Sequence, residues 1–413
     1  MTSRGRSAAA RCAALAALCL PASAIAQNPA PARLVAEAQA VAARIAAVRG
    51  LETVRPIDFR VSDRATIRAY AEASLADQMP AGQWEAYEAL LVHAGMIPEG
   101  TDLEELVVGL YAEQIAGYYD PARKTFYLAD WLPELLQRGV VAHEVTHALQ
   151  DQHFDLEHWL SVDAPTEDGS LARAAVAEGD AMAAMLAYLL EPMGVGVEDM
   201  PPLSELMRGQ GATISEAYPS FDAAPAALQR LLLFPYVQGS DFIRIALERG
   251  GWDAVDALYR DPPASTEQIL HPERYFGERD EPRRIEIVGA QAAAPPLVEG
   301  SWGEFGTELA LAAVLADTVL PAEAARGWDG DRYALWRDPA GGVRYRWITV
   351  WDTPAAAERF AEAYAQGAMD RVAGAARIAT GEGRFELSAD GRTLELVRTG
   401  DRVDIRETSR IER

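Results

Sequence analysis

The run His143-Glu144-Val145-Thr146-His147 constrains this chain more than any other feature. The pattern H-E-x-x-H needs a helix to work. Residues i and i+4 stand about 40° apart on a helix, one turn from each other, so both imidazoles can reach a single zinc ion (Zn2+). Glu144 lies beside that face, where its carboxylate can take a proton from a metal-bound water. Zinc lowers the pKa of such a water to about 7, which makes hydroxide available at neutral pH. The surroundings predict a buried helix over about 132–152. Val141, Val145 and Ala148 fall opposite the histidines, and Leu136 and Val140 extend the histidine face.

A catalytic zinc needs three protein ligands and one open position. The two cysteines, Cys12 and Cys19, lie in an N-terminal apolar run, so the third ligand must be His, Asp or Glu. His153 lies six residues after His147, where H-E-x-x-H-x-x-G-x-x-H places a third histidine, but Gln150 stands where that pattern has Gly. His158 has no pattern behind it. Glu178 is the stronger candidate. Between Leu171 and Leu190 the charged residues are Arg173, Glu178 and Asp180, in an Ala- and Met-rich helix. A carboxylate buried there without a partner would cost several kcal/mol, so a partner is expected, and zinc would be one. The blander alternatives are a solvent-facing Glu178 or an arginine pair. Gly179 costs about 1 kcal/mol relative to Ala in mid-helix, which points to close helix packing.

On these residues the chain resembles the gluzincins, thermolysin-like zinc metallopeptidases whose third ligand is a glutamate on the next core helix. It is most similar to a bacterial branch with Gly-Tyr-Tyr-Asp-Pro before the active helix (117–121), His-Glu-x-Thr-His-Ala-Leu-Gln-Asp-Gln within it (143–152) and Glu-Gly-Asp-Ala after it (178–181). The likeness covers about 105–280. It implies His143, His147 and Glu178 as metal ligands, Glu144 as general base, and peptide-bond hydrolysis by a zinc-activated water. One departure stands out. Met182 occupies the place of an aspartate expected one turn after the third ligand, and Asp180, the nearest substitute, points elsewhere on a regular helix. The resemblance also implies a Tyr or His that stabilises the oxyanion. Tyr236 and His271 are the two candidates, each beside a proline expected to fix it in a turn, and each equally readable as a core aromatic or a structural turn residue. The hairpin expected over Tyr118–Leu128 resembles the edge strand that pairs with extended substrate. An alternative function is a catalytically inactive zincin-like binding or scaffold protein of the cell envelope.

The N-terminus reads as a secretory signal. Arg4, Arg6 and Arg11 precede the apolar run Cys12–Leu20, and Ala24-Ile25-Ala26 offers a small-x-small cleavage site, which places the mature start near Gln27. A periplasmic or secreted protein is expected. The formal charge of −24 repels nucleic acid and anionic lipid. Neither is an expected partner, nor is membrane insertion after signal cleavage; a peptide or protein substrate is.

The fold class expected is α+β: a mainly helical zincin-like core with a small β-hairpin or sheet, plus a smaller C-terminal α+β domain. The expected divisions are a signal peptide (1–26), a helical N-terminal region (27–100), a catalytic domain (101–289) and the C-terminal domain (290–413). The Pro-, Gly- and Ser-rich stretch 191–224 reads as a loop or lid, and helices are expected at 226–234 and 240–249. In the C-terminal domain, strand-like runs at Tyr333–Trp336, Val343–Trp351, Arg384–Ser388 and Thr393–Val397 accompany a helix at Pro354–Gln366.

Overall fold

The computed structural model describes residues 31–79, 82–114, 117–120, 123–129, 134–161, 166–208, 219–287, 295–315, 320–338, 342–371, 376–381, 383–389 and 391–409. The expected signal segment with its cleavage site, Cys12 and Cys19, the turn residues Pro121 and 339–341, and Gly209-Gln210-Gly211 lie outside the described residues. The protein is mixed α+β, with a small sheet among helices and a separate β-sheet domain. Among the described residues no helix is long and apolar enough to cross a membrane.

The N-terminal half is built around two long helices. Helix α1 (Pro31–Arg49) is followed by strand β1 (Asp58–Ser62) and helices α2 (Arg64–Gln78), α3 (Gln83–His93) and α4 (Leu103–Gln114). Strands β2 (Gly117–Asp120) and β3 (Thr125–Ala129) form the expected antiparallel hairpin, pairing Tyr118 with Tyr127 and Tyr119 with Phe126. β1 joins β3 in parallel, giving the order β1-β3-β2. Reading residues 27–100 as helical missed β1. In Asp-Phe-Arg-Val-Ser the strand alternation lasts only five residues, too short to stand out between helices.

Helix α5 (Glu134–Phe154) carries the H-E-x-x-H run, and after the short α6 (Leu156–Ser161), α7 (Glu167–Leu190) carries Glu178. Thr166 caps α7, its hydroxyl accepting from the Gly169 N–H. The described residues of the stretch 191–224 contain helix where a loop was expected. They include α8 (Leu203–Arg208) and α9 (Pro219–Ala223), with Asp241 accepting the Leu203 N–H at the start of α8.

The two helices expected at 226–234 and 240–249 are one, α10 (Ala226–Arg260), whose backbone departs from helical geometry only at Gly250 and Gly251. Pro235 sits inside it and does not end it. An interior proline costs about 3 kcal/mol, but Phe234, Phe242, Ile243 and Ala246 on the same helix are all buried in the core, which offsets that cost. α10 lies against α7 through glycines: a Cβ on Gly179 would stand 2.3 Å from the Gly239 carbonyl carbon, and one on Gly239 only 2.1 Å from the Ala175 oxygen. The close packing that Gly179 implied is present.

Short helices α11 (Thr266–Leu270) and α12 (Glu273–Phe276) lead to the C-terminal domain. Its strands are β4 (Val298–Gly300), β5 (Trp328–Arg337), β6 (Val343–Trp351), β7 (Ala376–Gly381), β8 (Arg384–Ala389), β9 (Arg392–Thr399) and β10 (Arg402–Ser409), and its helices are α13 (Gly303–Ala312), α14 (Leu320–Ala325) and α15 (Pro354–Arg371). The strands form an antiparallel sheet in the order β4-β5-β6-β10-β9-β8-β7. Trp347 and Trp351 on β6 pack on Phe360 of α15. The expected runs are β5, β6, β8 and β9, and the expected helix is α15; β4, β7 and β10 were not foreseen.

Candidate metal centre

Every residue of α5 from Gly139 to Asp151 is buried. Val141, Ala142, Val145, Ala148 and Leu149 pack into one cluster with Ala38, Val41 and Ile45 of α1 and Met182 and Met185 of α7. That packing fixes the rotation of α5 and turns its other face, with His143 and His147, towards α7.

Three ligand-type atoms then converge. His143 Nε2 lies 3.1 Å from Glu178 Oε2, His147 Nε2 lies 3.3 Å from the same oxygen, and the two Nε2 atoms are 3.1 Å apart. All three residues are buried. For ligands about 2.0 Å from a tetrahedral zinc, neighbouring ligand atoms stand about 3.3 Å apart. The side-chain atoms His143 Nδ1, Glu178 Oε1 and Glu144 Oε1 are buried and have no hydrogen-bond partner among the described residues. Glu178 therefore neither faces solvent nor pairs with an arginine, and the donor set fits a divalent cation of zinc type.

The electrostatics point the same way. Burial pushes the His143 imidazole towards its neutral form. Burial also disfavours charge on His147, but the Glu178 carboxylate beside it outweighs this and holds it up at about 9. In return the imidazoles hold the Glu178 carboxyl below its ordinary range although burial alone would raise it. Glu178 is thus kept anionic in the interior and needs positive charge next to it. Glu144 is different. Burial raises its carboxyl to about 8, against the opposing pull of His147 and of the Tyr119 N–H, which donates to Glu144 Oε2 at 3.0 Å. Strand β2 thereby touches the candidate base through its own backbone.

The two oxyanion candidates part company. The Tyr236 ring lies 6.2 Å from the His143 ring, centre to centre, on the turn of α10 before the Gly179–Gly239 crossing. It stands in a helix and not in the turn expected for it. His271 caps the end of α11, and its Nε2 lies 2.9 Å from Glu304 of α13, so its ring is committed to the boundary with the C-terminal domain. His153 is exposed, with Nε2 2.7 Å from the Glu52 carbonyl, and His158 is exposed on α6. Neither joins the cluster.

Sequence reasoning missed Gln150 as a site residue. Its Oε1 lies 2.8 Å from His147 Nδ1, and its Nε2 donates to the Ala177 carbonyl and to Asp180 Oδ2, each at 3.0 Å. Asp180, which a regular helix points away from the histidines, reaches them through this amide. The available signal was the i+3 spacing from His147, which puts Gln150 on the histidine side of α5.

Residues 296–412 match a family described as a domain of unknown function (DUF8575). The match covers the C-terminal sheet domain and none of the residues of the cluster. The chain matches no curated protein and no solved structure.

Proposed function

We propose that this protein is an exported zinc metallopeptidase, with His143, His147 and Glu178 holding the metal and Glu144 acting as general base in a zincin-like core. The observation that carries the reading is the convergence of two imidazole nitrogens and one carboxylate oxygen, all buried, within 3.1–3.3 Å of one another. A bound zinc would supply an activated water and Lewis acidity. Glu144, adjacent to the cluster, would take up a proton there and return it to the leaving amine. The Tyr119 N–H fixes one oxygen of that carboxylate and leaves Oε1 for the proton. Tyr236 is the better placed of the two oxyanion donors. The substrate is a peptide or protein, and the signal-like N-terminus supports action in the periplasm or outside the cell.

The test compares wild type with Glu144→Gln for zinc content and for cleavage of casein and a mixed peptide library. Zinc in both and cleavage only by wild type is the expected result, with a loss of about 10²–10⁴-fold in the variant. Zinc in both and cleavage by neither would leave the alternative, a binding protein on a zincin-like scaffold.

A further inference from the structure

We propose that helix α1 is a working part of the metal centre, because Arg49 fixes the tautomer and aim of His147 through Asp180 and Gln150. This rests on the zinc reading and deepens it. The chain of bonds has a direction. Gln150 Nε2 donates to two acceptors, the Ala177 carbonyl and Asp180 Oδ2. Its other end, the carbonyl oxygen, is therefore the atom that faces His147 Nδ1 at 2.8 Å. An acceptor at that position requires Nδ1 to carry the hydrogen, which leaves the Nε2 lone pair directed at the cluster.

Asp180 cannot turn away from Gln150. Arg49 grips it twice, Nε to Oδ1 at 2.6 Å and Nη2 to Oδ2 at 3.1 Å, and the Tyr259 hydroxyl donates to Oδ2 at 2.8 Å. Arg49 is itself held, its Nη2 on Asp256 at 2.7 Å and its guanidinium 4.7 Å from the centre of the Trp252 ring, both on α10. Arg49 and Asp180 are fully buried. A buried ion pair is weak evidence of stabilisation, since apolar packing does as well. Orienting a metal ligand is a reason for keeping one here. Arg49 is the last residue of α1 (Pro31–Arg49), so that helix belongs to the working site and is not a removable pro-segment.

The experiment uses the full mature chain, with Zn2+ alone as ligand in competition with a chromophoric chelator, and histidine ¹⁵N NMR of the metal-free protein above about pH 9, where the His147 ring is neutral. In wild type the His147 signal should be that of the Nδ1–H form. Gln150→Ala should lose that signature and weaken zinc binding about 10–100-fold. Arg49→Met should weaken zinc binding to a similar degree, and Arg49→Lys, which keeps the charge against Asp180, by only about threefold. Should Arg49→Met fail to fold, Gln150→Ala and Arg49→Lys decide the matter. Variants that melt earlier yet bind zinc as tightly as wild type, with the tautomer unchanged, overturn the proposal and leave the zinc reading intact. Wild type that binds no zinc overturns that reading, and the proposal with it.

Discussion

Two places among the described residues gather three ligand-type groups within 4.8 Å of one another: His143, His147 and Glu178, and the carboxylates Glu267, Asp280 and Asp352. They solve opposite problems. In the second, Arg274 already supplies the cation. Its guanidinium bonds Asp280 and Asp352 and lies 3.2 Å from Glu267. Shared three ways, it does not fully compensate the most buried acid, and burial with the neighbouring carboxylates still pushes Glu267 up to about 9. In the first, Glu178 has no arginine or lysine partner among the described residues, and its neighbours are two neutralisable imidazoles. Proximity of ligands alone therefore does not mark a metal site. What sets the proposed metal centre apart is a buried carboxylate faced by imidazoles, which can exchange their protons for a cation.

The contrast between the two clusters can be broken most sharply at Glu178. Glu178→Ala should reduce zinc affinity by about a thousandfold or more, well beyond the cost of losing an orienting neighbour. Chelator competition measures it, and an unchanged affinity would mean the carboxylate is no ligand. A third buried acid extends the comparison. Burial would raise Glu407, but His93, 3.0 Å away, together with Arg371 and the Tyr364 hydroxyl, brings it down to about 2. A lowered carboxyl stabilises the fold above its unfolded value, about 4.5, and loses that contribution as pH falls from there to about 2. The shift corresponds to about 3 kcal/mol. In urea titrations the stability gap between wild type and Glu407→Gln should be of that size at about pH 6 and close towards about pH 2. A gap independent of pH would rule out a charge-based role for Glu407. Because His93 ends α3 and Glu407 lies on β10, this pair also ties the two halves of the molecule together.

Smaller effects separate the groups proposed to act on substrate from those proposed to hold the metal. Tyr236→Phe should lower kcat about a hundredfold with zinc affinity unchanged, if its hydroxyl meets the oxyanion. Equal losses in zinc binding and turnover would make it a packing residue. Arg274→Met should leave zinc content and peptidase activity as they are and cost about 2 kcal/mol of stability, a figure reduced by the partial exposure of Asp280 and Asp352. A loss of zinc on removing Arg274 would contradict the division of labour between the two clusters.

Much of this was legible in the sequence because the determinants are local. The i, i+4 histidines, the acid at Glu178 in an alanine-rich stretch and the glycine beside it each state a requirement that α5, α7 and the α7–α10 crossing meet. The strands β5, β6, β8 and β9 were equally visible, since each carries its alternation over enough residues. What stayed hidden depends on long-range partners. β1 exists because β3 accepts it from 67 residues away, measured from Asp58 to Thr125. Pro235 reads locally as a break, and only the burial of α10 against α7 overrides it. Arg49, Asp180 and Gln150 come from three helices, and nothing in the spacing 49–150–180 announces that they meet. His271 looked as suitable as Tyr236 until Glu304 was seen to hold it.

Anomalous diffraction at the zinc edge, from crystals of the zinc-loaded protein, tests the metal centre most directly. A single strong peak is predicted about 2 Å from His143 Nε2, His147 Nε2 and a Glu178 oxygen. A map with no peak there and Glu178 turned away from both imidazoles, or with the zinc seated instead among Glu267, Asp280 and Asp352, would contradict it.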